Sequence, residues 1–212
     1  MDYSEIISNV KVYGLEESIK RAKYPMSTNV GKLNSDLTSG IVSLAKSERG
    51  SGHDQWLTGV IVQFDLTFTV KAWTEAQRYH FLDFISSQST MHRITRFNLD
   101  NQYVKYVDRR IVDIMKEKIG DYNDLCNAFI PQSCDEVEAH EKLKKEKYLE
   151  ILYSNPCGFQ LTAGMTTNYR QLKTIYAQRK NHRLPEWRAF CEWIKTLPNS
   201  ELIMCETKEE NN

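Results

Sequence analysis

Residues 56 to 70 read WLTGVIVQFDLTFTV, and the pattern in this stretch sets the fold class. Val60, Val62, Phe64, Leu66, Phe68 and Val70 stand at every second position. β-Branched and aromatic side chains at a period of two predict a strand. Downstream, KAWTEAQRYHFLDFI (71–85) spaces Trp73, Ala76, Tyr79/His80 and Phe84 as a helix would, which predicts a helix ending near Ile85. HRITRFNL (92–99) reads as another candidate strand.

Upstream, SNVKVY (8–13) alternates weakly as a short strand, and Gly14 turns into LEESIKRAKY, a helix stopped before Pro25. PMSTNVGKLNS (25–35) is loop. Asn34 or Ser35 can cap a helix running to about Ala45, which SERGSG (47–52) breaks. Residues 107–130 read as helix with a break near Gly120. Ser133 can cap the next helix, acidic at its start and lysine-rich later, which Pro156 and Gly158 end. Helices from about Thr167 to Gln178 and from Pro185 to Leu197 follow. Strands and helices mix without βαβ regularity, so the class is α+β. The expectation is one domain over 1–205 with an acidic tail at 206–212.

Lys plus Arg and Asp plus Glu number 28 each, so any anion site must come from local clustering, and the balance argues against a general nucleic-acid coat. An odd count of five cysteines (Cys126, Cys134, Cys157, Cys191 and Cys205), without C-x-x-C pairs or a signal pattern, suits a reducing cytoplasm. No apolar run approaches the roughly 18 residues that span a bilayer. No zinc-ligand histidine spacing, phosphate-binding glycine loop or hydrolase elbow occurs.

Two stretches concentrate chemistry. TTNYRQLKTIYAQRKNHRLPEWRAF (166–190) interleaves Arg170, Lys173, Arg179, Lys180, Arg183 and Arg188 with Tyr169, Tyr176 and Trp187. Arg170, Lys173 and Arg179 fall off the helix's apolar stripe. They form either a solvated face or a wall for something anionic and aromatic. SSQSTMHR (86–93) follows the expected helix and is either a polar loop or a phosphate cradle. His53 sits in the glycine-rich turn GSGHDQW. His80 reads as a core histidine on an amphipathic helix, and His140 as a solvated one.

In order, these pieces resemble the flavin-dependent thymidylate synthases of the ThyX type. GSGHDQWL stands where that family has a histidine turn. LTFTVKAWTEAQRYHFLDFISSQSTMHR stands at its strand, helix and RHR…S-x-RY signature. Pro156 matches the proline of its LP motif. TTNYRQL matches T-x-N-x-R-S-L through Thr166, Asn168, Arg170 and Leu172, with Arg179 nine residues on and LPEWR at the family's last helix. The chain departs at RHR, which reads Tyr79-His80-Phe81, and at S-x-RY, where Ser89 is kept and the arginine is displaced to Arg93. It departs also at Leu152 and at Leu57-Thr58-Gly59.

The resemblance implies a ThyX-like fold, with a central antiparallel or mixed sheet flanked by helices. It implies an enzyme acting at carbon 5 of dUMP, with FAD as cofactor and NADPH and methylenetetrahydrofolate as co-substrates. It gives Arg170 the role of polarising the pyrimidine as the catalytic residue. Arg78, Ser87, Ser89 and Arg93 join Arg170 as substrate ligands, and His53, His80, Asn168 and Arg179 stand near the flavin. A homo-oligomer, tetramer favoured, follows from the family's shared active sites, in the host cytoplasm if the source is a virus such as a phage. The missing arginines favour the alternative, a homologue that keeps a pyrimidine-nucleotide or nucleic-acid site without synthase activity.

Overall fold

The structure is a computed structural model that describes residues 1–48, 50–128 and 133–204. Cys205 and the acidic tail lie outside the described residues, as do the last two positions of the helix expected at 107–130. The elements in chain order are β1 (Ile7–Tyr13), α1 (Leu15–Ala22), α2 (Ser39–Ala45), β2 (Ile61–Thr69), α3 (Val70–Ala76), β3 (Asp83–Ser87), α4 (Thr90–Arg93), α5 (Arg109–Ala128), α6 (Cys134–Ser154), β4 (Gln160–Asn168), α7 (Tyr169–Arg179) and α8 (Pro185–Ile194). The strands form one sheet in the order β1-β2-β4-β3, so the class is α+β.

The chain folds as two compact units. One comprises Met1–Thr67, Thr74–Ser86 and the chain from Ala163 onward; the other comprises Phe68–Trp73 and Ser87–Thr162. In the first, the alternation of β2 is realised: Val62, Phe64 and Leu66 are buried while Ile61 and Gln63 are exposed. Phe64 packs on Trp193 at 4.5 Å between ring centres, and Phe190 lies 5.0 Å from Trp193. β1 pairs antiparallel with β2, Ile7 opposite Leu66 and Val12 opposite Val62, with a register shift between Ser8 and Lys11. Gly14 enters α1 at φ 73°, and a Cβ there would lie 2.6 Å from the carbonyl oxygen of Gly59. This close approach seats α1 on the 3₁₀ turn Gln55–Gly59.

In the second unit, α5 and α6 pack as a helical hairpin around Val112, Met115, Ile119 and Ile151, with Phe159 against Phe97 and Tyr103. Ser133 caps α6, its hydroxyl accepting from the Glu136 amide at 3.3 Å. Among the described residues no helix is long and apolar enough to cross a membrane.

Several local expectations are corrected. The helix expected over 71–85 stops at Ala76. Tight i→i−3 bonds at Arg78, Tyr79 and Leu82 carry the chain into β3. Tyr79 is drawn out of helical register by its hydroxyl bond to Gln178 (2.8 Å) and its edge contact with Trp187 (5.6 Å). His80 is consequently an exposed turn residue rather than a core histidine on a helix. Residues 92–99 form the end of α4 and a 3₁₀ turn instead of a strand, because the buried Ile94 and Leu99 do not alternate. α5 continues through Gly120, which faces solvent; the cost of about 1 kcal/mol relative to alanine is outweighed by the helix's buried face. Thr38, not Asn34 or Ser35, caps α2, accepting from the Ile41 amide. β4 occupies 160–168, so α7 begins at Tyr169.

Candidate functional site

A cavity of about 390 Å³ opens in the first unit, and the start of α7 forms one wall. Asn168 caps that helix: its Oδ1 accepts from the Gln171 amide at 2.9 Å. The cap fixes the first turn, so Asn168, Arg170, Gln171 and Thr174 all line the cavity. Asp54 and Gln55 supply the facing wall, and Phe81 stands at its edge.

Charge is organised by Asp54, only 1% exposed. Its Oδ1 accepts from Arg170 Nε at 3.0 Å, and its Oδ2 from Lys173 Nζ at 2.7 Å. Lys173, 3% exposed, also donates to the carbonyls of Ala45 (2.7 Å) and Ser47 (2.9 Å), so all three of its ammonium protons have acceptors. Those carbonyls lie at the negative end of α2, which favours a cation there. Lys173 is therefore a buried anchor, and belongs neither to a solvated face nor to a wall open to an anion. Two cations share one carboxylate, which leaves a net positive charge. It sits on the Arg170 guanidinium, whose side chain is 34% exposed.

Arg170 Nη1 also donates to Gln55 Oε1 at 2.7 Å, while Nη2 has no partner among the described residues. The buried carboxylate holds the plane of the guanidinium in place, and Nη2 remains available to an acceptor in the cavity. The positive end of α7 adds to the same field.

Arg179 belongs to a different cluster. It lies nine residues from Arg170, two and a half turns, on the opposite side of α7. Its Nε donates to the Tyr79 hydroxyl (2.6 Å) and its Nη1 to Glu75 Oε2 (3.0 Å). Its guanidinium carbon sits 5.3 Å from the centre of the Tyr79 ring and 5.0 Å from that of Trp187. His182 completes the group: its Nε2 lies 3.1 Å from Glu75 Oε2, and its Nδ1 accepts from the Leu184 amide at 3.2 Å. Burial, with the positive charge of Arg179 beside it, holds the His182 pKa below its usual value. Farther along, Arg188 donates to the carbonyls of His182 and Arg183, and Lys180 and Arg183 are exposed.

The residues expected to carry function are distributed as follows. Arg170 and Asn168 border the cavity. His53 and His80, both exposed, immediately precede the cavity-lining Asp54 and Phe81. Arg78 is exposed on the turn after α3, and Arg179 stands in its own cluster. The second unit holds Ser87 at the end of β3, Ser89 before α4 and Arg93 at its end. Sequence reasoning missed Asp54, Gln55 and Phe81, and it missed that Lys173 is buried beneath the site. The available signals were the proximity of Asp54 to His53 and the i, i+3 spacing of Arg170 and Lys173, which puts both on one face.

No family model and no curated protein sequence matches the chain. Among the solved structures that resemble it are two of flavin-dependent thymidylate synthases. One is a crystal structure of the flavin-dependent thymidylate synthase ThyX from Helicobacter pylori complexed with FAD and dUMP. It has a TM-score of 0.61 and 12% identity, over 92% of this chain and 96% of that one. The other is a crystal structure of Thymidylate Synthase X from Helicobacter pylori with FAD and dUMP. It has a TM-score of 0.63 and 12% identity, over 91% of this chain and 95% of that one. The fold is thus ThyX-like across nearly the whole chain.

Proposed function

We propose that this chain is a divergent ThyX-like enzyme that binds a pyrimidine nucleotide, dUMP, in the Arg170 cavity and acts at carbon 5 of its ring. The observation that carries this reading is the uncompensated charge of Arg170, oriented by the buried Asp54 at the end of a helix. A cavity of about 390 Å³ lies within the usual range for small-molecule sites. Arg170 Nη2 would donate to a carbonyl oxygen of the base and draw electron density from the pyrimidine. The buried Asp54 side chain, itself fixed by Lys173, keeps the guanidinium from turning away.

For FAD the fit is partial. Asn168 at the cavity and His53 and His80 beside it can face a flavin, whereas Arg179 holds two of its N–H groups on Tyr79 and Glu75. When bound, the flavin supplies hydride, with methylenetetrahydrofolate as one-carbon donor and NADPH as reductant. The protein's share is to place the ring and polarise it. Arg78, Ser87, Ser89 and Arg93 are the proposed phosphate ligands, in sites shared between copies of a homo-oligomer, tetramer favoured. All five residues of β3, an edge strand, are exposed in the single chain, including Phe84 and Ile85, which suits burial against another copy.

The engagement of Arg179 favours a second reading, a nucleotide-binding homologue without synthase chemistry. An absorbance scan of the purified protein, followed by calorimetric titration with dUMP, separates the two. A flavin spectrum with dUMP binding supports the enzyme. A colourless protein that binds dUMP supports the second reading, and failure to bind dUMP removes both.

A further inference from the structure

We propose that Phe81 is a stacking platform that gives the Arg170 cavity its preference for a flat ring, and that it is held there by a strained backbone. The inference rests on the nucleotide-binding reading and names how the ring is recognised. Phe81 has φ 69°, in the left-handed region where a bulky side chain is an outlier. Its neighbours impose the conformation. Tyr79 is tied to Gln178 and Arg179, Leu82 is buried at 4% exposure, and its amide bonds back to the Tyr79 carbonyl at 3.4 Å. Of the two residues between them, Phe81 takes the left-handed conformation that swings the chain outward, and glycine or asparagine would do so with less strain.

Phenylalanine gains little from this position through burial, since it is 64% exposed. A strained, exposed aromatic side chain on the rim of a charged cavity has a physical rationale as a contact for a ligand. Aromatic faces accept any nucleobase by stacking, and Arg170 Nη2 supplies the directional donor that stacking lacks. Together they describe a site for a planar heterocycle carrying carbonyl oxygens. The Tyr79–Leu82 constraints hold the platform before ligand arrives, so binding need not order it.

The test compares wild type with Phe81→Gly and Phe81→Trp, using calorimetry with dUMP and thermal unfolding of the free proteins. Phe81→Gly is expected to lose about tenfold in dUMP affinity while raising the melting midpoint by about 2–4 °C as strain is relieved. Phe81→Trp keeps a ring and is expected to bind dUMP within about threefold of wild type. If wild type binds dUMP and Phe81→Gly binds it equally, the platform is refuted while the nucleotide reading stands. A glycine variant that binds weakly but melts lower refutes the strain. A wild type that binds no dUMP overturns the reading beneath both.

Discussion

Asp54 Oδ2 and Lys173 Nζ meet at 2.7 Å although 119 positions separate the residues in sequence, and both side chains are less than 5% exposed. Truncating one partner of such a pair leaves the other as a buried charge. Asp54→Ala is expected to destabilise the protein by about 3–5 kcal/mol, because Lys173 then lacks its counterion. Lys173→Met is expected to cost less, since Asp54 keeps Arg170. Urea unfolding of both variants measures the difference, and equal losses would contradict the shared-carboxylate arrangement.

Arg170→Lys keeps the charge and removes the planar fork that binds Asp54 while presenting Nη2. We expect dUMP affinity to fall by about 1–3 kcal/mol, roughly 5- to 150-fold, with an unchanged circular dichroism spectrum. Equal affinity by calorimetry would make Arg170 a bystander on the cavity wall.

The parts of this arrangement legible in sequence were those with strong local pattern. β2 was readable because its alternation coincides with true burial of Val62, Phe64 and Leu66. β4 was not, because its buried face is built from Ala163, Met165 and Thr167, which carry little hydrophobic contrast. β3 has no alternation to read, being exposed on both faces. Within the candidate site, Arg170 and Asn168 were found through the family-like motif. Asp54 and Lys173 were hidden because a charged residue reads as surface until the structure shows its partner.

His80 is exposed on a turn, so His80→Ala is expected to change stability by no more than about 0.5 kcal/mol. Any loss of flavin from the variant then reports a direct contact rather than damage to the fold. The flavin-to-protein absorbance ratio after desalting is the measurement, and full occupancy in His80→Ala would exclude the histidine from the flavin site.

The depressed pKa of His182 gives a pH dependence with a definite sign. Burial and the neighbouring charge of Arg179 disfavour the protonated ring, so fewer protons are bound in the folded state than in the unfolded chain. Stability contributed by neutral His182 is therefore fully present above about pH 6.5 and declines as pH falls from there towards the lower folded pKa. The urea midpoint of wild type should drop between pH 7.5 and 5, and His182→Gln should flatten part of that drop. Identical slopes would assign the dependence to other groups.

Light scattering should find a mass several times 24.8 kDa, a tetramer being expected. A monomer at micromolar concentration would remove the shared-site arrangement and leave the edge strand β3 bare in solution.

The half-turn offset between Arg170 and Arg179 also restricts how α7 can vary in length. Deleting one residue between them would swing Arg179 by about 100° and draw it back about 1.5 Å, out of the slot formed by Glu75, Tyr79 and Trp187. Inserting seven would restore its direction to within about 20° but carry it about 10 Å along the axis, past those partners. Neither change leaves both arginines seated. α7 therefore acts as a spacer of fixed length, and evolutionary insertions are expected in segments such as the 25–35 loop instead.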